Sequence, residues 1–125
     1  MTKLLIADDS PHKMMLMQGM LFKAGWKGEI LEATTTEAAI GMIYAHPDIL
    51  FALVDFYIPS SNGPFVIEYL KKNQPGARAA LVSSSDKYEN LEEAKAAGAE
   101  ACICTSYEAD EVERMFTDLL KEWME

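Results

Sequence analysis

The sequence predicts an α/β fold, a five-stranded parallel sheet wound on both faces by helices. Two observations predict it. Short apolar runs alternate five times with segments of helical spacing, joined by short connections, which is the pattern of strands linked by crossover helices. The run Leu50-Phe51-Ala52-Leu53-Val54-Asp55 is apolar without alternation until it meets a carboxylate, as a strand buried on both faces would be. The carboxyl ends of such strands form the edge at which open α/β sheets place their ligand sites.

The elements follow in order. Lys3-Leu4-Leu5-Ile6-Ala7 is a strand running into Asp8-Asp9. Ser10 then offers an N-cap and Pro11 a first helical residue, so a helix is expected from Pro11 to about Ala24, stopped by Gly25. Met14, Met17 and Leu21, with Met15 and Phe22 beside them, have the spacing of its core face, and its methionines read as packing groups. Gly28 to Ala33 is a strand of mixed polarity, suited to a sheet edge. Thr34 to Glu37 fits a capping box and opens a helix to about Ala45, with Ile40, Ile43 and Tyr44 at core spacing. His46-Pro47-Asp48 ends it in a turn, and both His46 and His12 read as surface groups.

The central strand Ile49 to Asp55 leads into a loop punctuated by Pro59 and Gly63, which makes a simple helix cap at Asp55 a poor account of that acid. A third helix is expected from Phe65 to about Asn73, a fourth strand from Ala79 to Ser83, and a fourth helix from about Lys87 to Ala97, ended by Gly98. That helix has little bulk beyond Leu91 and Ala94, so it is thinly anchored and able to shift. Glu100 to Thr105 is the fifth strand. The last helix runs from about Glu108 to Trp123, with Val112, Met115, Phe116, Leu119 and Leu120 inward.

Composition bounds the function. The 125 residues fit one domain spanning 1–125, and half of them are hydrophobic, enough for a core. A net charge of −9 argues against direct nucleic-acid or anionic-membrane binding and permits a metal cation or a basic protein face. Cys102 and Cys104 read as buried thiols of a reducing cytoplasm. No apolar run approaches the ~20 residues of a membrane span. Met1-Thr2-Lys3 leads straight into a strand, which does not fit a signal peptide, so the expected location is cytoplasmic.

Strands one, three, four and five end in Asp8-Asp9, Asp55, Ser83 and Thr105. In the flavodoxin-like order 2-1-3-4-5, strands one and three are neighbours at the switch point, and their acids converge. Three adjacent carboxylates repel unless a cation neutralises them, and Mg²⁺ suits a few hard oxygens. Three unrelated helix caps would not explain why all three acids lie at strand ends.

Asp8-Asp9-Ser10, then Asp55-x-x-x-Pro59-x-x-x-Gly63, then Ser83, then Gly98-Ala99, together resemble the receiver domain of two-component response regulators, from Lys3 to about Met124. The resemblance implies that Asp55 accepts a phosphoryl group from a sensor histidine kinase or phosphotransfer protein. It implies that Asp8, Asp9, Asp55 and the backbone carbonyl of Tyr57 hold Mg²⁺, and that the Ser83 hydroxyl bonds a phosphoryl oxygen. It implies a switch and not an enzyme, with Mg²⁺-assisted self-phosphorylation and dephosphorylation as its only chemistry. Output then falls to a downstream protein target or to an output domain absent from this chain, and family analogy admits a homodimer.

Two positions depart from that pattern. Where the family has Lys-Pro at the end of strand five, this chain has Thr105-Ser106, and Thr105 offers only a neutral hydroxyl. The family's aromatic switch position holds Cys102. Lys87, near Ser83, reads as a surface lysine. The alternative function is therefore a receiver-like module that binds protein independently of phosphorylation. A small Mg²⁺-dependent phosphatase ranks last, because the short chain has no substrate-covering insertion.

Overall fold

Strand register decides where the acids and hydroxyls fall. The computed structural model describes residues 2–124; Met1 and Glu125, the outermost residues of the expected domain, lie outside the described residues. The elements are β1 (Lys3–Ala7), α1 (Pro11–Lys23), β2 (Glu29–Ala33), α2 (Thr36–Ala45), β3 (Ile49–Val54), α3 (Gly63–Asn73), β4 (Arg78–Ser83), α4 (Tyr88–Ala97), β5 (Ala101–Cys104) and α5 (Ala109–Met124). All the strands are parallel, in the order β2-β1-β3-β4-β5. This is the expected flavodoxin-like sheet.

Alternate strand residues feed two cores. Leu4, Ile6, Phe51, Leu53, Val82 and Ile103 pack under α1 and α5. Leu5, Ala7, Ala52, Val54 and Ala79 pack under α2 and α3. Leu81, Phe56 and Ala94 form a smaller cluster beneath α4. Phe51 stacks on Trp123, centroids 5.1 Å apart, and meets Trp26 edge-on at 5.7 Å, which ties α5 to the amino end of the sheet.

Several side chains depart from expectation. Met14, Met17 and Leu21 are buried, but Met15 and Phe22 are exposed, Phe22 by 82%. Each lies one residue beyond a buried position, and 100° of helical rotation turns it from the sheet to solvent. In α2 the buried positions are Thr36, Ala39 and Ile43, whereas Tyr44 is exposed, for the same reason. Cys104 is buried, but Cys102 is only partly so.

Two helix starts also move. Thr35, not Thr34, caps α2, accepting the Ala38 N–H at 3.1 Å. The α3 helix begins at Gly63, two residues before the expected start, because Asn62 caps it by accepting the Phe65 N–H at 3.0 Å. Gly63 comes so close to the end of β3 that a Cβ there would fall on the Asp55 carbonyl oxygen. Its own N–H donates to the Phe56 carbonyl at 2.8 Å, closing the loop between β3 and α3. Gly63→Ala must displace backbone, and is expected to lower stability by about 1–3 kcal/mol. Urea denaturation checks this, and an unchanged midpoint would contradict the close approach.

Candidate functional site

The β1–β3 ladder continues one residue beyond β3. Ala7 is registered with Val54, and the Asp55 N–H donates to the Ala7 carbonyl at 2.9 Å. On the other side of β1, the Asp8 N–H donates to the Ala33 carbonyl at 3.0 Å. Asp8 and Asp55 therefore leave the sheet edge side by side with fixed backbones. Asp9 completes a cluster in which each acid offers a ligand oxygen, all within 4.8 Å of one another. Asp8 is fully buried, Asp55 is nearly so, and Asp9 is exposed.

Asp8 organises the turn into α1. Its Oδ1 accepts the Ser10 N–H at 2.9 Å, and Ser10 Oγ in turn caps α1 by accepting the Lys13 N–H at 3.2 Å. That cap orients the first turn so that the Lys13 side chain crosses the sheet edge. Its ammonium lies 3.1 Å from Asp8 Oδ2 and 3.1 Å from Asp55 Oδ1, and donates to the Val82 carbonyl at 2.8 Å. Asp55 Oδ1 also accepts the Phe56 N–H at 2.8 Å, while no described residue donates to Oδ2. Asp8 Oδ2 lies within ion-pair distance of Lys13 but makes no directed hydrogen bond. A buried carboxylate oxygen in that condition, beside two more carboxylates, fits a hard divalent cation.

The other expected residues divide. Ser83 is buried at the end of β4, where its Oγ accepts the Ser85 N–H at 3.2 Å. Thr105 continues the β4–β5 ladder through its N–H to the Ser83 carbonyl at 2.9 Å, and its side chain is half-buried. Tyr57 and Asp9 line one shallow opening of about 320 Å³ with Ile58, Pro59, Ser60 and Ser61. Lys87 is exposed and precedes α4. His12 is exposed as well.

Sequence reasoning passed over three residues. Lys13 is one. Its signal was visible in the sequence, since the first turn of α1 holds a lysine and no acid, against the preference of a helix N-terminus. Thr36 is the second: its hydroxyl donates to the Ile58 carbonyl and accepts the Ser61 N–H at 3.2 Å, holding the loop after Asp55 against α2. Glu37, expected to complete a capping box, instead accepts the Ser60 hydroxyl, and that hydrogen bond lowers its pKa. The third is buried Asn90 of α4, whose Nδ2 donates to the Tyr57 hydroxyl at 3.1 Å.

Burial raises the Asp55 pKa above the ordinary carboxylate value. The Lys13 charge and hydrogen bond oppose the rise, the Asp8 charge adds to it, and the Phe56 N–H opposes it. A raised carboxyl binds its proton more tightly folded than unfolded. Its ionised form therefore costs stability above the folded pKa, and nothing below the unfolded value. Asp55→Asn is expected to melt above the parent at neutral pH in buffer with chelator, with the gap closing as pH falls through the carboxylate range. Thermal melts across pH check this, and a variant that melts lower at neutral pH contradicts it.

A model of the response regulator receiver domain matches residues 4–117. No curated protein matched the chain. Among solved structures, a CheY-like response regulator receiver domain protein from Methanospirillum hungatei is 23% identical, with a TM-score of 0.79, over 99% of this chain and 97% of that one. The Mn²⁺-bound form of response regulator Rcp1 is 16% identical, with a TM-score of 0.83, over 98% and 94%. The CheX–CheY–BeF₃–Mg²⁺ complex from Borrelia burgdorferi holds a chain 19% identical, with a TM-score of 0.80, over 95% and 89%. These structural likenesses establish the fold. The family match spans most of the sequence and takes in both acidic strand ends, Ser83 and Thr105, and the chain belongs to the response regulator receiver domain family.

Proposed function

We propose that Asp55 accepts a phosphoryl group from the phosphohistidine of a sensor histidine kinase or phosphotransfer protein, and that the acyl phosphate switches a protein-binding face. The observation that carries this reading is the arrangement of Asp55 itself. Its Oδ1 is engaged by the Phe56 N–H and Lys13, which leaves Oδ2 to attack phosphorus in line as the P–N bond breaks and the imidazole takes the bonding pair. Asp8, Asp9, Asp55 and the Tyr57 carbonyl would hold Mg²⁺. When bound, that ion would offset the negative charge of acceptor and phosphoryl together. The structures of Rcp1 with Mn²⁺ and of the CheX–CheY complex with BeF₃ and Mg²⁺ support this assignment of the acidic cluster.

Ser83 donates its O–H to a phosphoryl oxygen, and because its Oγ accepts the Ser85 N–H, a move of that hydroxyl draws on the loop before α4. Thr105, at the end of strand five, contributes at most a neutral hydroxyl. The face read by a downstream target, an appended output domain or a second copy is that of α4, β5 and α5. The chain is a switch whose only turnover is its own phosphorylation and dephosphorylation, and a cytoplasmic setting suits it. Among the described residues no helix is long and apolar enough to cross a membrane.

One observation favours a second reading, a module that binds its partner without phosphorylation. Cys102 packs beside Phe56, Leu81 and Ala94, and a small thiol there has no ring to swing between positions.

Intact mass after incubation with acetyl phosphate and Mg²⁺ tests the first reading. A phosphoryl adduct is expected on the parent and none on Asp55→Asn; a folded, metal-bound parent without adduct would favour the second. Asp8→Asn and Asp9→Asn are each expected to weaken Mg²⁺ roughly ten-fold or more by removing a ligand charge. Calorimetric titration checks this, and unchanged affinity in both would remove the metal assignment.

A further inference from the structure

We infer that Lys13 is the acceptor-site cation of this chain: its ammonium neutralises Asp8 and Asp55 before a divalent ion binds, and pairs with the phosphoryl group afterwards. This rests on the reading of Asp55 as acceptor. Three carboxylates and one ammonium leave the cluster two charges negative, and a phosphoryl group brings more. Such a group needs positive charge within hydrogen-bond reach. Among the described residues, Lys13 alone forms an ion pair with Asp8 or Asp55. The neighbouring strand ends present only the Ser83 and Thr105 hydroxyls.

The lysine is built into the site. Its side chain is 14% exposed, and the Val82 carbonyl fixes the ammonium from the β4 side at 2.8 Å, where Ser83 follows. The placement works against local preference. A cation in the first turn of α1 opposes the helix dipole, and α1 has no acid there to offset it. A surface lysine would gain nothing from that position, whereas one reaching two buried carboxylates does.

The ammonium already pairs with Asp8 Oδ2 and Asp55 Oδ1, so a divalent ion held by Asp8 and Asp55 would compete with it for those carboxylates. With a divalent ion bound, the flexible stem and the Val82 carbonyl would keep the ammonium beside Asp55. In transfer from acetyl phosphate, a carboxylate oxygen of Asp55 bonds to phosphorus, the P–O bond to the acetyl group breaks, and acetate leaves with the electron pair. Lys13 gives up no proton in this step and pairs with a phosphoryl oxygen.

Lys13 thus affects metal binding and phosphoryl uptake with opposite signs. Parent, Lys13→Met and Lys13→Gln are titrated with Mg²⁺ by calorimetry, then incubated with acetyl phosphate at saturating Mg²⁺, with the adduct followed by intact mass. Both variants are expected to bind Mg²⁺ roughly ten-fold tighter, about 1.4 kcal/mol, and to take up the phosphoryl group at least about ten-fold more slowly. Uptake as fast as the parent's, or unchanged Mg²⁺ affinity, overturns the inference. A parent without adduct overturns the acceptor reading instead, and the titration still decides Lys13 as the neutralising charge. Should both variants unfold, the ¹⁵Nζ resonance of Lys13 in the parent decides: it is expected to shift as Mg²⁺ binds, and a resonance unmoved at saturation overturns the proposal.

Discussion

The edge of this sheet depends on one constraint: two carboxylates that repel one another must stay adjacent. The force that holds them is not their own. Asp55 donates its N–H to Ala7 and Asp8 donates its N–H to Ala33, so both backbones are pinned by a ladder whose strands are buried in two cores. Burial of those strands stabilises the fold enough to carry the repulsion, at roughly 25 cal/mol per Å² of apolar surface removed from water. A site held together by its own charges would open as soon as they changed. One held by the sheet keeps its geometry when its charge changes.

Local devices then refine the edge. The Asp8 carboxylate bonds the Ser10 N–H, Ser10 caps α1, and the capped turn delivers Lys13. On the other side, Gly63 presses against the Asp55 carbonyl, and Thr36 with Glu37 holds the loop between them. Asp8, Ser10 and Thr36 each accept a backbone N–H at the end of an element or in a loop, so the site and the folding signals share residues. Substitutions meant to probe function at Ser10 or Gly63 therefore act on stability too.

The sheet was legible in the sequence because parallel strands are buried on both faces and their apolar runs end sharply. That end point placed Asp8, Asp55, Ser83 and Thr105 without any knowledge of packing. Helix faces were less legible. Met15 and Phe22 sit beside true core positions in α1, as Tyr44 does in α2, and only the neighbouring elements decide which apolar stripe is covered. With threonines at 34, 35 and 36, pattern alone could not choose the cap; the strand runs to Ala33, and Thr35 follows as the cap. Lys13 was missed because a lone lysine in a first turn reads as solvated. Its burial follows from the β1–β3 neighbour relation, a long-range fact that no local window contains.

The same geometry bears on how a change at Asp55 reaches the surface. Strand five carries Cys102, registered with Leu81, and is followed by Thr105, a small thiol and a neutral hydroxyl. The stronger physical link runs along the loop that follows Asp55. Phe56 follows Asp55, packs beside Leu81 and Ala94, and meets the Tyr57 ring edge-on at 4.9 Å. The Tyr57 hydroxyl then accepts from Asn90, a buried polar group of a helix whose only other buried residue is Ala94. Beyond those two, α4 is held by partly buried Leu91 beside Phe56 and Leu81 and by an exposed hydrogen bond from Asn62 to Glu93, and a helix with so few buried contacts responds to movement of the group Asn90 bonds. Phe56 and Tyr57 thus join Asp55 to Asn90 of α4 by a contact path that does not pass through Cys102.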